Sequence, residues 1–423
     1  MADTRTFAII GASLTGAKAA ETLRAEGFDG RVVLVGEESE RPYERPPLSK
    51  GYLNGKEGRE AAYVHDESWY ADNDVQLRLG VRATGLDPDA HTVTLGDDER
   101  LTYDRLLLAT GSRPRRLDVA GGDLDGVLYL RTLPDADALR TRLSGTAGRV
   151  VVIGAGWIGL ETAAAARTYG AEVNVVEMDV LPLRRVLGDD VATQFADVHQ
   201  AHGVTFHFGA GVGGFVGTGG RLTGVVLSNG VQLPADLAIV GVGIEPVTDL
   251  AVAAGLDVDN GVVTNARLQT SHPDVFAAGD VASFHNPLLG HRIRVEHWAN
   301  ALNGGPAAAK AMLGQDITYD RVPYFYSDQY TDTPSIGMEY SGWVAPGGYD
   351  RMVYRGDPKI RSDANPEFVA FWISERRVLA GMNVNVWDAQ DDIQTLVRAG
   401  YAGKTVDVAK LADPATPLSE ALA

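Results

Sequence analysis

Three glycines at the start of a helix carry the most specific chemical signal in this sequence. They stand in the run Gly154-Ala155-Gly156-Trp157-Ile158-Gly159, a G-x-G-x-x-G motif between the apolar segment 150–153 and an alanine-rich helix. In such a motif the first glycine permits a tight turn, the second lets the backbone approach a pyrophosphate, and the third allows close packing of helix and strand. Because the free N–H groups of a helix N-terminus attract anions, the motif predicts a dinucleotide site.

A carboxylate at the end of the next predicted strand completes this unit. The apolar segment Glu172–Glu177 ends on Glu177, at the distance from the glycines where an acidic residue hydrogen-bonds an adenosine ribose. A carboxylate accepts a hydrogen bond from a 2′-hydroxyl but repels a 2′-phosphate, so Glu177 favours a dinucleotide whose ribose carries a free 2′-hydroxyl. Arg184 and Arg185 follow closely and keep a 2′-phosphorylated dinucleotide as the less favoured alternative. The unit extends to Gly243, after a further apolar segment.

The N-terminus repeats the same pattern. A short strand at Thr6–Ile10 runs into Gly11-Ala12-Ser13-Leu14-Thr15-Gly16, where a serine stands in the place of the second glycine. A helix is predicted from about Ala17 to Glu26, then a strand at Arg31–Val35, and Glu37 follows at the ribose distance. Two such units in one chain predict two different bound dinucleotides.

Several further segments end in small or charged residues at the edge of a predicted strand, where open α/β sheets receive ligands. The proline-rich segment 41–51 is predicted to be an extended loop that carries Arg45 and Lys50. The other candidates are Ala109, Thr110 and Gly111 after the strand 106–108, Arg131 after 127–130, Asp280 after 275–278, and Glu296, His297 and Trp298 before a second alanine-rich helix.

The composition excludes several classes of site and partner. The 423-residue chain has no cysteine, so it cannot build a disulfide, a thiolate metal site, an iron–sulfur cluster or a redox-active dithiol, and we predict no metal site. A net charge of −18 argues against nucleic acid or an anionic membrane as the main partner. The N-terminal residues lack the charged-then-apolar pattern of a signal peptide, which favours a cytoplasmic protein.

The order of these elements predicts an α/β fold with two Rossmann-like dinucleotide-binding domains and a C-terminal α+β domain. The expected boundaries are 1–115 and 244–320 for the first domain, 116–243 for the second and 321–423 for the third. In the third domain, the predicted elements are strands at 324–326 and 369–373, one amphipathic helix at 388–398 and a frayed tail from Asp413.

Taken in this order, the motifs resemble a known family. The two glycine motifs, the segment 45–50, Ala109-Thr110-Gly111, Ala278-Gly279-Asp280 and Glu296-His297-Trp298 are similar to those of the FAD-dependent NAD(P)H:ferredoxin or rubredoxin reductases of bacterial oxygenase and cytochrome P450 systems. The resemblance covers essentially the whole chain, including Asp328-Gln329-Tyr330 and the segment 383–387, and apoptosis-inducing factor shares the architecture. The aromatic segment 324–333 departs from the usual pattern, which leaves the identity of the electron carrier open.

The resemblance implies a role for each group of residues. The first unit is expected to hold non-covalent FAD and the second a nicotinamide cofactor, for which Glu177 favours NADH while Arg184 and Arg185 keep NADPH as the less favoured alternative. Lys50 and Glu161, the catalytic candidates, are implied as a pair beside the flavin, where they tune its charge. The residues implied to bind FAD are Gly11, Ser13, Gly16, Glu37, Arg45, Lys50, Ala109, Thr110, Gly111, Arg131, Asp280, Glu296, His297 and Trp298, and those implied to bind NAD are Gly154, Gly156, Trp157, Ile158, Gly159, Glu177 and Gly243.

The predicted reaction is hydride transfer from NADH to flavin, then two single-electron transfers to an iron–sulfur ferredoxin, with rubredoxin as an alternative carrier. Without a cysteine, electrons must leave directly from the flavin. Two other functions stay open: an NADH oxidase or quinone reductase, and a redox-sensing protein like apoptosis-inducing factor. We expect a monomer or weak dimer, and Arg292, Arg294 and Lys310 are candidates for a basic patch that docks an acidic ferredoxin.

Overall fold

The computed structural model describes residues 3–145, 148–361 and 363–423. These residues form two compact units. The first unit contains the described residues up to Glu44, together with Arg59–Arg113 and Glu245–Pro323. The second contains Arg45–Gly58, Pro114–Ile244 and Tyr324–Ala423, apart from the undescribed positions.

The helices and strands are numbered along the chain. The α-helices within the described residues are α1 (Leu14–Ala25), α2 (Trp69–Asp72), α3 (Leu133–Gly145), α4 (Trp157–Thr168), α5 (Arg184–Ala201), α6 (Asp249–Ala253), α7 (Trp298–Met312), α8 (Gln390–Tyr401) and α9 (Val408–Ala412). The strands are β1 (Thr6–Ile10), β2 (Arg31–Val35), β3 (Val75–Arg78), β4 (Ala83–Asp87), β5 (Thr92–Leu95), β6 (Glu99–Thr102), β7 (Arg105–Leu108), β8 (Ser112–Pro114), β9 (Val127–Tyr129), β10 (Arg149–Ile153), β11 (Glu172–Glu177), β12 (Val204–Phe208), β13 (Val212–Thr218), β14 (Arg221–Leu227), β15 (Gln232–Pro234), β16 (Leu237–Val240), β17 (Ile244–Pro246), β18 (Val262–Thr264), β19 (Val275–Ala277), β20 (Ala282–Asn286), β21 (His291–Arg294), β22 (Tyr324–Gln329), β23 (Ile336–Gly342), β24 (Arg351–Asp357), β25 (Glu367–Ser374) and β26 (Arg377–Val384). Short 3₁₀ helices occupy Pro46–Ser49, Arg59–Ala62, Gly279–Val281 and Leu418–Ala421.

A five-stranded parallel sheet forms the centre of the first unit. Its strand order is β19-β7-β1-β2-β3, with β1 in the middle. The inner strands are buried on both faces and are therefore almost wholly apolar, as parallel strands between helix layers must be. The chain moves from β1 to β2 on one side and later returns to β7 on the other. The turn after β1 thus lies where the strand order reverses, which is the ligand-binding position of open α/β sheets.

The second unit contains a sheet of the same kind. Its order is β12-β11-β10-β16-β9, all parallel, with β10 in the middle and helix α4 directly after it. The antiparallel sheet β13-β14-β15 accompanies it. The turn between β10 and α4 is again at the point where the strand order reverses.

The C-terminal residues of the second unit form a five-stranded antiparallel sheet. Its order is β22-β23-β26-β25-β24, and helix α8 packs against it. Phe325, Tyr340 and Trp372 from this sheet belong to the same hydrophobic core as Leu187 and Phe195 of α5. The Rossmann-like part and the antiparallel part of the second unit therefore share one core.

The predicted fold class is confirmed: two parallel Rossmann-like sheets and a C-terminal antiparallel sheet are present. Strands β1, β2 and β11 have the predicted bounds. Helix α1 begins at Leu14 rather than near Ala17, because Ser13 already takes the extended backbone of an N-cap. No helix in the described part of the chain is long and apolar enough to cross a bilayer.

Two local predictions were wrong. Residues Pro46–Ser49 form a 3₁₀ turn and not an extended loop, because the fixed φ of proline also suits the first turn of a helix. The tail does not fray: Leu418 and Ala421 are buried, and the Ala421 carbonyl accepts a 2.8 Å hydrogen bond from Asp407 N–H. Burial and backbone pairing thus hold a segment that its composition left undetermined.

Candidate functional site

The G-x-G-x-x-G motif forms the turn between β10 and α4. Gly154 has φ +94°, and a Cβ there would lie 2.4 Å from the carbonyl oxygen of Gly241. A Cβ on Gly159 would lie 1.9 Å from the carbonyl oxygen of Gly154, so only glycine allows α4 to cross this turn. A Cβ on Gly156 would meet no protein atom within 4 Å. The space beside Gly156 is therefore open for a ligand.

The N-terminus of α4 is prepared for an anion. Gly156 is the N-cap and makes no side-chain cap bond, which leaves N–H groups of the first turn for an outside acceptor. Trp157 packs its ring against Phe195 and Phe325, with centroid distances of 5.7 and 4.9 Å, whereas Ile158 is 43% exposed. The uncapped N-terminus of α4 fits the pyrophosphate of a pyridine nucleotide.

Glu177 lies at the same edge, at the end of β11. Its Oε2 accepts a 2.7 Å hydrogen bond from Ala155 N–H in the glycine turn, and its Oε1 accepts a 2.8 Å bond from Asp179 N–H. Asp179 in turn contacts both arginines that kept NADPH as an alternative, Arg184 at 3.3 Å and Arg185 at 3.9 Å. The pKa of Asp179 is lowered, first by the Val180 N–H and then by Arg184.

Gly243 lies after β16, the strand beside β10. It has φ +96°, and its carbonyl oxygen accepts a 3.0 Å hydrogen bond from Arg115 N–H. Its backbone therefore follows a course that favours glycine close to the end of the parallel sheet.

The two glycines of the α4 turn should respond differently to one added methyl group. We expect Gly159→Ala to lower the free energy of unfolding by about 1–3 kcal/mol or more, because the Cβ overlaps a backbone oxygen. Gly156→Ala should leave unfolding nearly unchanged and raise the Kd for NADH, because its Cβ enters the ligand's space. Thermal unfolding and NADH titration of both variants test this, and a Gly156→Ala protein that binds NADH normally would contradict the assignment.

The N-terminal motif has matching geometry in the first unit. Gly11 has φ +123°, and a Cβ there would lie 2.0 Å from the carbonyl oxygen of Ala109. A Cβ on Gly16 would lie 2.1 Å from the carbonyl oxygen of Gly11. Ser13 is the N-cap of α1 and makes no side-chain cap bond, so the first turn of α1 also leaves N–H groups for an anion. This turn fits the pyrophosphate of FAD.

The residues after β7 line the same sheet edge in the first unit. Ala109 N–H donates to the Ile10 carbonyl at 2.7 Å, and Thr110 Oγ1 donates to the Val247 carbonyl at 2.7 Å. Gly111 has φ +67°. Glu37, after β2, is 67% exposed in its side chain and lies 3.6 Å from Arg82. Its carboxylate is therefore accessible to a ribose.

A second group of predicted residues in the first unit surrounds the start of α7. Trp298 Nε1 donates to Glu44 Oε2 at 2.9 Å, and Glu296 pairs with Arg294. His297 is the N-cap of α7, and desolvation lowers its pKa to about 4, so the ring is neutral at pH 7. Asp280 lies in the short 3₁₀ helix after β19. The bond between Trp298 and the Glu44 carboxylate was not predicted.

A buried ion pair lies within the second unit. Lys50 Nζ donates to Glu161 Oε1 at 2.6 Å, Ser49 Oγ donates to Oε2 at 2.5 Å, and Ser327 Oγ donates to Oε1 at 2.6 Å. The Glu161 side chain is 3% exposed and that of Lys50 is 15% exposed. The pair implied by the resemblance is thus present, and three donors fix its carboxylate.

Ser49 and Ser327, the partners of Glu161 other than Lys50, were not predicted from the sequence. Ser49 stands beside Lys50 in the chain, but only the 3₁₀ turn brings its hydroxyl to Glu161. A weak signal for Ser327 existed, since Phe325, Ser327 and Gln329 alternate along β22 and share its buried face. Polar side chains on a buried strand face indicate hydrogen-bond partners elsewhere in the core.

Arg45 and Arg131, two predicted FAD ligands, meet in the second unit. The Arg45 guanidinium donates to the Arg131 carbonyl, and the Arg131 N–H donates to Asp135 Oδ2 at 3.1 Å. A hydrogen bond within the second unit therefore connects the proline-rich segment, which carries Arg45, with the residues after β9, which carry Arg131.

The three residues predicted to form a basic docking patch are engaged within the first unit. Arg292 donates to the backbone carbonyls of Thr264 and Ser283, Arg294 pairs with Glu296, and Lys310 lies 3.3 Å from Glu26. A guanidinium bound to two carbonyls and two ion-paired cations offer little free positive charge to an acidic partner. The structure gives no support to this patch.

Two glycine turns at open helix N-termini and a buried lysine–glutamate pair, in a chain without cysteine, fit an oxidoreductase that uses a flavin and a pyridine nucleotide. The model of the pyridine nucleotide-disulphide oxidoreductase family matches residues 5–305, and a reductase C-terminal domain matches residues 324–422. The chain therefore belongs to the pyridine nucleotide-disulphide oxidoreductase family. The predicted enzyme class and the predicted cofactors, FAD and NADH, are confirmed.

Individual relatives cover almost the whole chain. Putidaredoxin reductase from Pseudomonas putida is 40% identical over 382 residues, which is 89% of this chain and 88% of the relative. The ferredoxin--NAD(+) reductase component of an anthranilate 1,2-dioxygenase system from Burkholderia cepacia is 38% identical over 419 residues, 97% of this chain and 98% of the relative. A crystal structure of the covalent putidaredoxin reductase–putidaredoxin complex superposes with a TM-score of 0.90 at 37% identity, covering 99% of this chain and 98% of that one.

Proposed function

We propose that this protein is an FAD-dependent ferredoxin--NAD(+) reductase that supplies electrons to an oxygenase or a cytochrome P450. The observation that carries the proposal is the ion pair between Lys50 and Glu161, a residue of the helix after the second glycine motif, in a chain that has no cysteine. The relatives named as a putidaredoxin reductase and as the ferredoxin--NAD(+) reductase component of a dioxygenase system support it. We further propose a cytoplasmic location and a monomer or weak dimer.

The reaction transfers two electrons and releases one proton: NADH and two oxidised ferredoxins give NAD⁺, two reduced ferredoxins and H⁺. FAD, when bound, accepts the two electrons of NADH as a hydride and releases them singly. The chain supplies position and charge. The turn at Gly11–Gly16 is proposed to hold the FAD pyrophosphate and the turn at Gly154–Gly159 that of NADH, because both leave open helix N-termini.

Lys50 is proposed to place its ammonium group beside the reacting edge of the flavin. A positive charge there stabilises the negative charge that develops on reduction. Glu161 holds Lys50 in one position, and the three donors around Glu161 prevent the carboxylate from rotating. We therefore assign the pair an electrostatic role and not that of acid and base.

The lack of cysteine supports direct transfer from flavin to an outside carrier. Enzymes that reduce disulfides or peroxides through this fold need a reactive thiolate next to the flavin, and this chain has none to provide. A ferredoxin is the carrier we propose, and rubredoxin is the alternative because a rubredoxin-NAD(+) reductase is also among the relatives. We assign no docking surface, because the arginines predicted for it are bound within the first unit.

Steady-state NADH oxidation tests the proposal against an oxidase or quinone reductase. The purified flavoprotein is given NADH with oxygen alone, with a quinone, with rubredoxin or with putidaredoxin. We expect rapid NADH consumption only with putidaredoxin, the ferredoxin in this set, at two putidaredoxins reduced per NADH. Equally fast consumption with oxygen or quinone alone would overturn the proposed function.

A further inference from the structure

A buried histidine on α5 has no part in the reaction described above. His199 is 0% exposed, and desolvation lowers its pKa to about 4, so the ring is neutral at pH 7. Both ring nitrogens are engaged: Nε2 lies 2.8 Å from Gln329 Oε1, and Nδ1 lies 2.7 Å from the Tyr330 hydroxyl. A neutral imidazole with two partners is a fixed hydrogen-bonding group with one donor and one acceptor.

The hydrogen bonds continue from this histidine to the catalytic pair. Gln329 Nε2 donates to Ser327 Oγ at 3.1 Å, and Ser327 Oγ donates to Glu161 Oε1 at 2.6 Å. Gln329 is 1% exposed, Ser327 0% and Glu161 4%. The chain from His199 to Glu161 thus lies in the core of the second unit, where water does not replace a missing partner.

The hydrogen bonds in this chain have one consistent direction. The Glu161 carboxylate only accepts, so the Ser327 hydroxyl donates to it and accepts from the Gln329 amide. The Gln329 carbonyl oxygen then faces His199, which must carry its proton on Nε2. With the amide reversed, Ser327 would have to donate to Gln329, and its oxygen would meet the Glu161 oxygen at 2.6 Å with no proton between them. The tautomer of His199 and the orientation of Glu161 are therefore linked.

We infer that Ser327, Gln329 and His199 are positioning residues that hold Glu161 in the rotamer in which it orients Lys50. This inference rests on the proposed function, since it assumes that Lys50 tunes the flavin. It predicts that a change at His199, three hydrogen bonds from Glu161, alters the redox behaviour of bound FAD without contact with it. The far end of the chain is closed by the Tyr330 hydroxyl, whose ring stacks on His202 at 3.6 Å.

This chain of hydrogen bonds orients Glu161 and does not conduct protons. Passage of a proton through Gln329 would require its amide to become an imidic acid, which a neutral carboxamide does not do readily. The proton that the overall reaction releases must therefore leave by another route. The amide suits the positioning role, because it fixes a donor on one side and an acceptor on the other.

The primary test uses Ser327→Ala, which removes one hydroxyl and little volume. His199→Met removes both histidine bonds, and His199→Gln restores a donor near the position of Nε2. His207→Met is the matched control. His207 is also in the second unit, and its Nε2 lies 2.9 Å from the amide oxygen of Asn174, but it is not part of the hydrogen-bond chain that leads to Glu161. Each variant is also made in a Glu161→Gln background.

Three quantities are measured for these variants and for Lys50→Met. They are the limiting rate of flavin reduction by NADH, the midpoint potential of bound FAD, and the tautomer of His199 in the FAD-loaded protein by ¹⁵N NMR. We expect Ser327→Ala and His199→Met to slow reduction by about tenfold, as loss of the partners of an active group does, and to move the potential toward that of Lys50→Met. His199→Gln should recover most of both, His207→Met should change neither, and His199 should carry its proton on Nε2.

The Glu161→Gln background separates positioning from general damage. If the hydrogen-bond chain acts through Glu161, Ser327→Ala and His199→Met have no further effect on the rate of flavin reduction or on the midpoint potential in that background. Effects that add to Glu161→Gln, an Nδ1–H tautomer, or a Ser327→Ala protein with normal rate and potential would overturn the inference while leaving the proposed function intact. If Lys50→Met itself changes neither quantity, the inference and the proposed role of Lys50 fail together, whereas a failure of ferredoxin reduction alone would concern only the proposed function.

Discussion

Replacing Lys50 by methionine is expected to slow flavin reduction by NADH by about 100-fold, the size of effect seen when one donor to a developing negative charge is removed. The Kd for NADH should change little, because Lys50 is proposed to act on the flavin and not on the nucleotide. The midpoint potential of bound FAD should become more negative, since the reduced form loses a nearby positive charge. Stopped-flow reduction at several NADH concentrations separates the limiting rate from the Kd.

The same substitution should destabilise the second unit. Glu161 is nearly inaccessible to water and would remain without its counter-ion, which costs about 3–5 kcal/mol when a buried pair is broken. The double variant Lys50→Met/Glu161→Gln removes both charges and keeps an amide for Ser49 and Ser327. We expect it to regain most of the stability and none of the rate, which distinguishes the electrostatic role from support of the fold.

Lys56→Met is the matched control for these experiments, because Lys56 belongs to the same chain segment but is exposed. It should have normal stability, rate and potential. A Lys50→Met protein that is reduced at the wild-type rate would contradict the electrostatic role of the pair.

The second large expected effect concerns the choice between NADH and NADPH. We expect Glu177→Gln/Asp179→Asn to lower the ratio of kcat/KM for NADH over NADPH by about 100-fold, equivalent to about 2.7 kcal/mol of like-charge repulsion. Glu177→Gln removes the carboxylate at the proposed ribose position. Asp179→Asn releases Arg185 and leaves Arg184 with Asp189 as its one remaining carboxylate partner, so that Arg185 in particular can bind a 2′-phosphate.

The two single variants divide this effect. Glu177→Gln should mainly weaken the discrimination against NADPH, and Asp179→Asn should mainly improve the KM for NADPH. Glu172→Gln, at the opposite and exposed end of the same strand β11, is the control and should leave the ratio unchanged. An unchanged ratio in the double variant would mean that Glu177 does not face the ribose 2′ position.

The geometry of the two glycine turns could be predicted from the sequence because their physics is local. A glycine with positive φ, a close helix crossing and an open N-terminus all follow from residues within one short motif, as at Gly154 and Gly159. The acidic residue after the next strand is equally local, since β10 and β11 are adjacent and in register. Glu177 therefore lies where the pattern predicts it.

The surroundings of Glu161 could not be predicted in this way, because its partners come from distant parts of the chain. Ser49, Ser327 and, through Gln329, His199 reach it from three segments that only the tertiary fold brings together. The resemblance to known reductases supplied Lys50 but not these groups. The fate of the predicted docking patch has the same cause: the side chain of Arg292 is bound by carbonyls on other strands of the first unit, which sequence spacing does not reveal.

Double-mixing stopped-flow spectroscopy directly tests the transfer of electrons from NADH through FAD to a ferredoxin. The FAD-loaded protein is first mixed with one equivalent of NADH without oxygen and, once the flavin absorbance has bleached, with oxidised putidaredoxin. We expect fast bleaching by NADH, much slower bleaching by NADPH, and reoxidation of the flavin in step with reduction of two ferredoxins. Flavin that stays reduced in the presence of the ferredoxin, and is reoxidised only when oxygen or a quinone is admitted, would contradict this expectation.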